Sequence, residues 1–473
     1  MNEGRALNVV LLTIDCWRGD HLGVNGSGPS PTPHLDRLAA GGTLFEQAIT
    51  PGGWTRPAMM ALFSSVYASR HNGGSLRRLS PDLPVLAELL QARGYETAGF
   101  TANPVCGQSG DFGRGFDTFA DLKTDNRQAQ VWNRLRKVRG GHRLMRLLFD
   151  SLAVHRFLHL FRLRLDLPEV SASASHLTDE ALAWLEGNPP SPFFLWVHYI
   201  DLHWPYRLSR RAPEPAEIVQ AWRDRQTYRR VVKAQGRYNP GPGAAARWRA
   251  LYREELTTVD EQIGRLVEHL KAGGHWAQTA IVVTSDHGEE FYEHGTWAHS
   301  WNQLFDEGVH VPLVFRVPGM PDGRIVQQQV STLDLAPTVL DLAGDPPPDT
   351  MLGASLRPLL EGEATLASRP ILTEMLGHRN SYRYRLAVRT GTHRYIHDME
   401  QPQGSQLYDR RADPGERQNA YTLSHPAARR FDELRFAHMA PIVPDLLEQG
   451  EADALEGVEP EVADRLRAMG YLS

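Results

Sequence analysis

The sequence predicts an α/β protein with a mostly parallel central sheet flanked by helices, followed by a smaller C-terminal α+β subdomain. Two observations carry this expectation. Short, continuously apolar and β-branched runs recur as far as Val317, separated by stretches of helical period, as in parallel sheets covered on both faces. Beyond about residue 365 the texture changes to shorter alternating segments, which suit an antiparallel sheet.

The strand candidates in chain order are Val9 to Ile14, Glu96 to Asn103, Phe193 to Tyr199, Ala280 to Asp286 and Val311 to Val317. The helical candidates are Thr32 to Ala40, with Pro33 near its start, and Pro57 to Val66, then Leu83 to Arg93 ended by Gly94. Leu177 to Leu185, Arg247 to Ala272, and Leu333 to Ala343 ended by Gly344 complete that set. In the C-terminal part, Tyr384 to Arg389 and Thr392 to His397 read as strands and Glu459 to Met469 as a final helix. The expected division is therefore residues 1–365 and 366–473. Residues 123–168, rich in Arg, Leu and Phe, read as a helical, amphipathic insertion. That insertion is either a lid or docking helix or, through 140–167, a basic apolar surface that meets lipid or a partner.

Composition narrows the function classes. The chain has 473 residues, 51 Lys+Arg against 56 Asp+Glu and a formal charge of -5, too near balance for a dedicated nucleic-acid binder. Hydrophobic residues make up 41%, enough for a large core and a globular chain. With two cysteines, Cys16 and Cys106, and 20 histidines, disulfide scaffolds and thiolate zinc clusters are excluded, leaving imidazole and carboxylate as the ligands to look for. The residues before Asn8 lack the order of a secretory signal and no run of 18 apolar residues occurs, so the expectation is a cytoplasmic protein.

Ligands of open parallel sheets bind outside the carboxyl ends of the strands. Asp15, Asn103, His198, Asp201, His203, Asp286 and His287 all fall at or just past such ends. Asp286-His287-Gly288 places a carboxylate and an imidazole side by side where the chain can turn away, a two-ligand corner for a divalent cation, with Asp15 as a third ligand. Gly52-Gly53-Trp54-Thr55-Arg56-Pro57 leads into an apolar helical run, so Thr55 stands at a helix N-terminus. There it either caps the helix or, beside a cation, becomes an alkoxide nucleophile. Arg56 can contact a substrate anion or simply sit exposed in the first turn. Trp54, Trp204 and Trp297 flank these residues and line an aromatic pocket or pack in the core.

The ordered motifs resemble the sulfatase branch of the alkaline phosphatase superfamily. They are Val9-Val10-Leu11-Leu12-Thr13-Ile14-Asp15, Thr32-Pro33-His34-Leu35-Asp36-Arg37-Leu38-Ala39, Thr55-Arg56-Pro57-Ala58, Ser69-Arg70-His71 and Gly113-Arg114-Gly115-Phe116-Asp117. They continue through Phe193 to His198, His203-Trp204-Pro205-Tyr206, Ser285-Asp286-His287-Gly288-Glu289, Val311-Pro312-Leu313, Leu407-Tyr408-Asp409 and Asp413-Pro414-Gly415-Glu416. The resemblance implies an alkaline phosphatase-like fold and cleavage of a sulfate or phosphate ester through a covalent intermediate. Asp15, Thr55, Asp286 and His287 match metal ligands and Thr55 matches the nucleophile. His203 resembles the substrate-facing histidine and His299 falls where the family places a basic residue near the leaving group, while Arg56 and Asn103 are read from their own positions as further substrate contacts.

Two departures bear on the chemistry. Sulfatases that use formylglycine form it from Cys or Ser in a Cys/Ser-x-Pro-Ser/Ala-Arg pattern, whereas this chain reads Thr55-Arg56-Pro57-Ala58-Met59, so no formylglycine is expected. Cys16 stands where many sulfatases carry a second Asp beside the first. The pattern fits the threonine-nucleophile members of the superfamily. The expected activity is metal-dependent hydrolysis of phosphate esters, above all phosphodiesters, on a small anionic substrate. The alternatives are a sulfatase working without formylglycine and a noncatalytic anion-binding relative or phospho-group transferase. The divalent ion is Mn, Zn, Ca or Mg. One ion is expected rather than two, although Asp201, His203, His299 or His310 could contribute to a second.

Overall fold

The computed structural model describes residues 6–23, 30–71, 78–122, 172–204, 206, 215–234, 236–299, 304–362, 366–376, 384–398 and 402–439. The expected insertion over 123–168, its 140–167 surface and the terminal helix at 459–469 lie outside them.

The central strand β1 (Asn8–Ile14) is wholly buried and pairs in parallel with β5 (Phe193–Tyr199) on one side and β6 (Thr279–Ser285) on the other. Beyond β5 lie β3 (Glu96–Thr101) and β4 (Thr118–Asp121), also parallel. Beyond β6 come β7 (His310–Arg316), β2 (Thr43–Ile49) and β8 (Arg324–Val326), with β9 (Val330–Ser331) also beside β2. Strands β2 and β4 were not among the sequence candidates. The first alternates weakly, and the second is short and half-buried, so neither carries a continuous apolar run. One expected strand runs the other way: β7 is antiparallel to both β6 and β2. The segment between β6 and β7 starts and ends at the same edge of the sheet. Gly288 N–H donates to Gly308 O (2.8 Å), and a single helical turn, Asp306–Val309, feeds β7 from the edge at which β6 ended. An apolar run reports burial, not direction.

Alternation along β1 divides the core. Val10, Leu12 and Ile14 face α1 (Pro33–Ala40), α4 (Ala174–Glu186) and α6 (Pro242–Ala272), with α5 (Pro215–Lys233) beside them. Val9 and Leu11 face α2 (Thr55–Ser64), α3 (Leu86–Gln91) and α7 (Leu335–Leu342). Three layers result, as a parallel sheet requires. Helix α2 is apolar nearly all round and buried from Thr55 to Ser64 save for Arg56. Pro57 costs it nothing, because a first-turn N–H has no intrahelical partner to lose. The helix ends at Ser65, whose left-handed φ of 55° and N–H to Ala61 O close the last turn.

The C-terminal sheet has four antiparallel strands where sequence indicated two: β10 (Ile371–Leu376), β11 (Tyr384–Arg389), β12 (His393–Asp398) and β13 (Gln406–Asp409). Helix α8 (Pro426–Met439) covers it, with Phe431 against Leu386, Val388, Tyr395 and Leu407. Among the described residues no helix is long and apolar enough to cross a membrane.

This sheet also clamps the loop that precedes α2. Glu374 N–H donates to Pro51 O (2.9 Å), Gly53 N–H to Glu374 O (2.9 Å) and Thr373 Oγ1 to Thr50 O (2.6 Å). Close approach explains Gly52, where a Cβ would fall 2.3 Å from Ala58 N. The Glu374 carboxylate is fully buried and accepts from Ser69 Oγ (2.5 Å), Ser69 N–H (3.1 Å) and His438 Nε2 (2.6 Å). Burial pushes its pKa up, but His438 and Ser69 more than offset this, and the net shift is downward.

Removing this carboxylate strands a buried imidazole and a buried N–H, so we predict that Glu374→Ala destabilises the chain by about 3–5 kcal/mol in urea unfolding at neutral pH. Because the folded-state pKa is depressed, the stabilisation is complete above the ordinary glutamate range and fades as the pH falls through the folded value. The gap between wild type and variant should therefore narrow in acid; a pH-independent gap would contradict this account.

Candidate active and metal site

The parallel register places the ends of β1, β5 and β6 at one edge, and the turn after β2 brings the start of α2 to the same edge. Ile14 pairs with Tyr199 and with Ser285, so the residues that follow, Asp15 and Asp286, emerge together. The turn after β1 is forced by Cys16, whose φ of 62° is left-handed. Asp286 Oδ1 accepts from Cys16 N–H (3.2 Å) and His287 N–H (2.8 Å), and Ser285 Oγ lies 2.6 Å from Ile14 O while accepting from Trp17 N–H (3.0 Å).

Inside this knot, Asp15, Asp286, His198 and His287 are all at most 1% exposed. His287 Nδ1 lies 2.8 Å from Gly288 O, and a carbonyl only accepts, so the proton sits on Nδ1 and the Nε2 lone pair points inward. There Nε2 is 3.6 Å from Asp15 Oδ1, 3.4 Å from Asp286 Oδ2 and 3.2 Å from Thr55 Oγ1, whose hydroxyl donates to it. Among the described residues, Asp286 Oδ2 and His198 Nε2 have no hydrogen-bond partner. His198 Nε2 lies 3.8 Å from Asp15 Oδ2, too long for a hydrogen bond, and its Nδ1 is 2.8 Å from Thr13 Oγ1. Buried carboxylates and an imidazole lone pair facing one another suit a divalent cation, and Asp15, Asp286 and His287 could hold one, with Thr55 or His198 adjacent.

The electrostatics agree. Burial raises the Asp15 pKa, yet the imidazoles of His198, His203 and His287 around it pull it far below the carboxylate range. Asp286 goes the other way, raised by burial and by the charge of Asp15. Two buried carboxylates this close repel one another, and a cation between them would relieve that repulsion.

Asn103 donates from Nδ2 to Asp15 Oδ2 (2.6 Å) and accepts from Val105 N–H (2.9 Å), so much of its side chain is committed to holding Asp15. Thr55 is the first residue of α2. The flanking N-cap position belongs to Trp54, and no side chain caps there, so Thr55 does not act as the cap. Arg56 is half-buried in the first turn. His203 and His299 do approach the centre: their rings lie 5.0 Å apart, and His299 is 4.6 Å from His287. Burial lowers the His203 pKa. Burial opposes charge on His299 too, but the Glu289 carboxylate 3.2 Å from its Nδ1, with Asp15 and Asp286 behind, lifts it to about 9.

Two further candidates fall elsewhere. Asp201 accepts from Ala174 N–H (3.0 Å) at the start of α4, and His310 Nε2 donates to Glu46 O (2.7 Å). Trp204 and Trp297 are buried against Trp248, at 4.7 and 4.9 Å, and so form packing rather than an open pocket wall. Glu289 went unassigned in sequence, although its place two residues past His287 in the Asp-His-Gly-Glu motif was visible. His198 was visible only as a strand-end candidate, because its approach to Asp15 depends on the pairing of Thr13 with His198.

Comparison with known proteins bears on the family and the fold. The Sulfatase family model matches residues 7–345, and that for the C-terminal region of N-sulphoglucosamine sulphohydrolase matches residues 292–432. An ulvan-active sulfatase of Formosa agariphila is 26% identical over 435 residues, covering 87% of this chain and 76% of its own. A delta 4,5-hexuronate-2-O-sulfatase of Bacteroides thetaiotaomicron is 26% identical over 457 residues, covering 86% and 83%. The phosphonate monoester hydrolase of Agrobacterium radiobacter shares the fold, with a TM-score of 0.67 at 24% identity over 92% of this chain and 96% of its own. These relatives are ester hydrolases, and their family works with a divalent metal ion. On a family match that runs from β1 past the end of α7, the chain belongs to the sulfatase family of the alkaline phosphatase superfamily.

Proposed function

We propose that the chain hydrolyses a sulfate monoester of a small anionic substrate, with unmodified Thr55 as the nucleophile. The observation that carries this is Thr55 Oγ1, 3.2 Å from His287 Nε2, buried at the first turn of α2 beside Asp15 and Asp286. Sulfate is favoured over the phosphodiester expected from sequence because the relatives are mostly named sulfatases. A phosphonate monoester is the second reading, supported by the shared fold of the Agrobacterium hydrolase.

Asp15, Asp286 and His287 would hold a divalent ion, which when bound supplies Lewis-acid stabilisation of developing oxyanion charge and eases ionisation of a hydroxyl. The rest falls to the chain. Thr55 sits at the positive end of the α2 dipole, which favours an anion, so the sulfuryl group is drawn to its hydroxyl. Thr55 Oγ1 gives its proton to solvent and bonds to sulfur as the bond from sulfur to the ester oxygen breaks. His299, kept protonated by Glu289, gives that departing oxygen its proton. The low pKa of His203 and the raised one of His299 separate the pair into an uncharged and a charged imidazole, the split that assigns an acid. Water then attacks sulfur, the Thr55–sulfur bond breaks, Oγ1 takes back a proton, and sulfate leaves.

Thr55→Ala should abolish turnover, and acid-quenched wild type should yield a Thr55 peptide carrying the transferred group; full activity in Thr55→Ala removes the nucleophile assignment. In a panel of sulfate monoesters, phosphonate monoesters and phosphate mono- and diesters, sulfate kcat/KM should be highest. Faster phosphonate turnover would select the second reading, and faster diester turnover would restore the sequence expectation. His299→Gln should lower kcat by about 10²- to 10⁴-fold on an alkyl ester and far less on a nitrophenyl ester, which needs no proton to leave; equal losses on both would argue against an acid.

A further inference from the structure

We propose that Cys16 is a thiolate ligand of the cation held by Asp15, Asp286 and His287, and that it makes the site select zinc over calcium or magnesium. The inference rests on the metal-dependent reading above and adds a ligand and a metal class to it.

Cys16 takes a left-handed φ of 62°, a conformation that L side chains adopt rarely and that persists only where its surroundings enforce it. The hydrogen bond from its N–H to Asp286 Oδ1 (3.2 Å) enforces it here. The consequence is that Sγ, fully buried, lies 3.0 Å from Asp15 Oδ1 and 3.6 Å from His299 Nδ1. Cys16 and His287 each offer a ligand atom within 4.8 Å of the other, while the neighbouring His299 keeps its Nδ1 on Glu289. With zinc–nitrogen and zinc–oxygen bonds near 2.0–2.2 Å and zinc–sulfur near 2.3 Å, the edges of a tetrahedral site run to about 3.3–3.7 Å. The separations of His287 Nε2 from Asp286 Oδ2 (3.4 Å) and from Asp15 Oδ1 (3.6 Å) fall in that span.

A second observation points inward independently of the thiol. Asp286 Oδ2, on a residue 1% exposed, has no hydrogen-bond partner among the described residues, and neither does His198 Nε2. Asp286 Oδ2 instead faces His287 Nε2 at 3.4 Å, and a buried carboxylate oxygen so placed fits a cation ligand. Sulfur decides which cation. Calcium and magnesium take oxygen ligands, whereas a thiolate favours zinc and its softer neighbours. Coordination breaks the S–H bond, releases the proton to solvent and forms the metal–sulfur bond. Cys106, the other cysteine, is buried but belongs to no ligand group among the described residues, and serves as the internal control.

Metal-free full-length chain titrated with cobalt(II) provides the test, since sulfur ligation gives an intense near-ultraviolet charge-transfer band that carboxylate and imidazole do not. Wild type and Cys106→Ser should show the band on saturation. Cys16→Ser should lose it while keeping the weak visible bands of bound cobalt. Cys16→Asp, which restores a carboxylate and guards against a folding defect, should bind without the band, and its cadmium affinity relative to calcium should drop by about tenfold or more. The proposal is overturned if wild type binds cobalt without the band or binds none, if Cys16→Ser retains the band, or if Cys16→Asp leaves the cadmium-to-calcium ratio unchanged. The spectrum is read without turnover, so failure of the ester-hydrolase reading would leave the band in place and the two outcomes separable.

Discussion

The pairing of β1 with β6 is the constraint on which the rest of the structure depends. A parallel ladder fixes both strands in direction and register, and Ile14 beside Ser285 means that the two chains leave the sheet at one point. Ser285 and Asp286 then fasten the exits: the serine hydroxyl bridges Ile14 O and Trp17 N–H, and one aspartate oxygen receives two backbone N–H groups. Asp286 Oδ1 thus serves the backbone, leaving Oδ2 to face the centre. A single side chain does structural work with one oxygen and presents the other to chemistry. Gly288 belongs to the same device, since a Cβ there would fall 2.0 Å from Glu307 O and push the returning loop away.

Around this knot the charge is arranged by burial and neighbours rather than by composition. The chain is near neutrality overall, yet its centre gathers Asp15, Asp286 and Glu289 against His198, His203, His287 and His299, with little water to screen them. Identical residue types therefore diverge: one aspartate is held strongly ionised and its neighbour resists ionisation, and one histidine resists a proton while the next retains it. The aromatic block of Trp204, Trp248 and Trp297 sustains this by excluding solvent behind the histidines.

Much of this was legible in the sequence because parallel strands announce themselves twice, by a continuous apolar run and by what stands at its carboxyl end. Asp15, Asp286 and His287 were found that way and Thr55 by the paired glycines and apolar helical run around it, and the structure brings the four together. What escaped depends on pairing. The reversed direction of β7, the approach of His198 to Asp15 and the contact between Glu289 and His299 across ten positions are set by register and loop path, which local pattern does not encode. Composition was silent in one respect. Two cysteines are too few for a cluster, and the count says nothing of Cys16 sitting against Asp15, which follows from a turn visible only in the backbone.

The clamp between β10 and the loop before α2 has a consequence for how the protein comes into being. Thr50 and Thr373 are joined across 323 positions, so the segment that leads into Thr55 cannot take its final form until more than three quarters of the chain has left the ribosome. The acidic corner of β1 and β6 can be assembled earlier, since its ends are complete by residue 287. A nascent chain would thus hold its charged centre before its hydroxyl is fixed in place. The C-terminal sheet, far from being an exchangeable appendage, is the part whose arrival finishes the site.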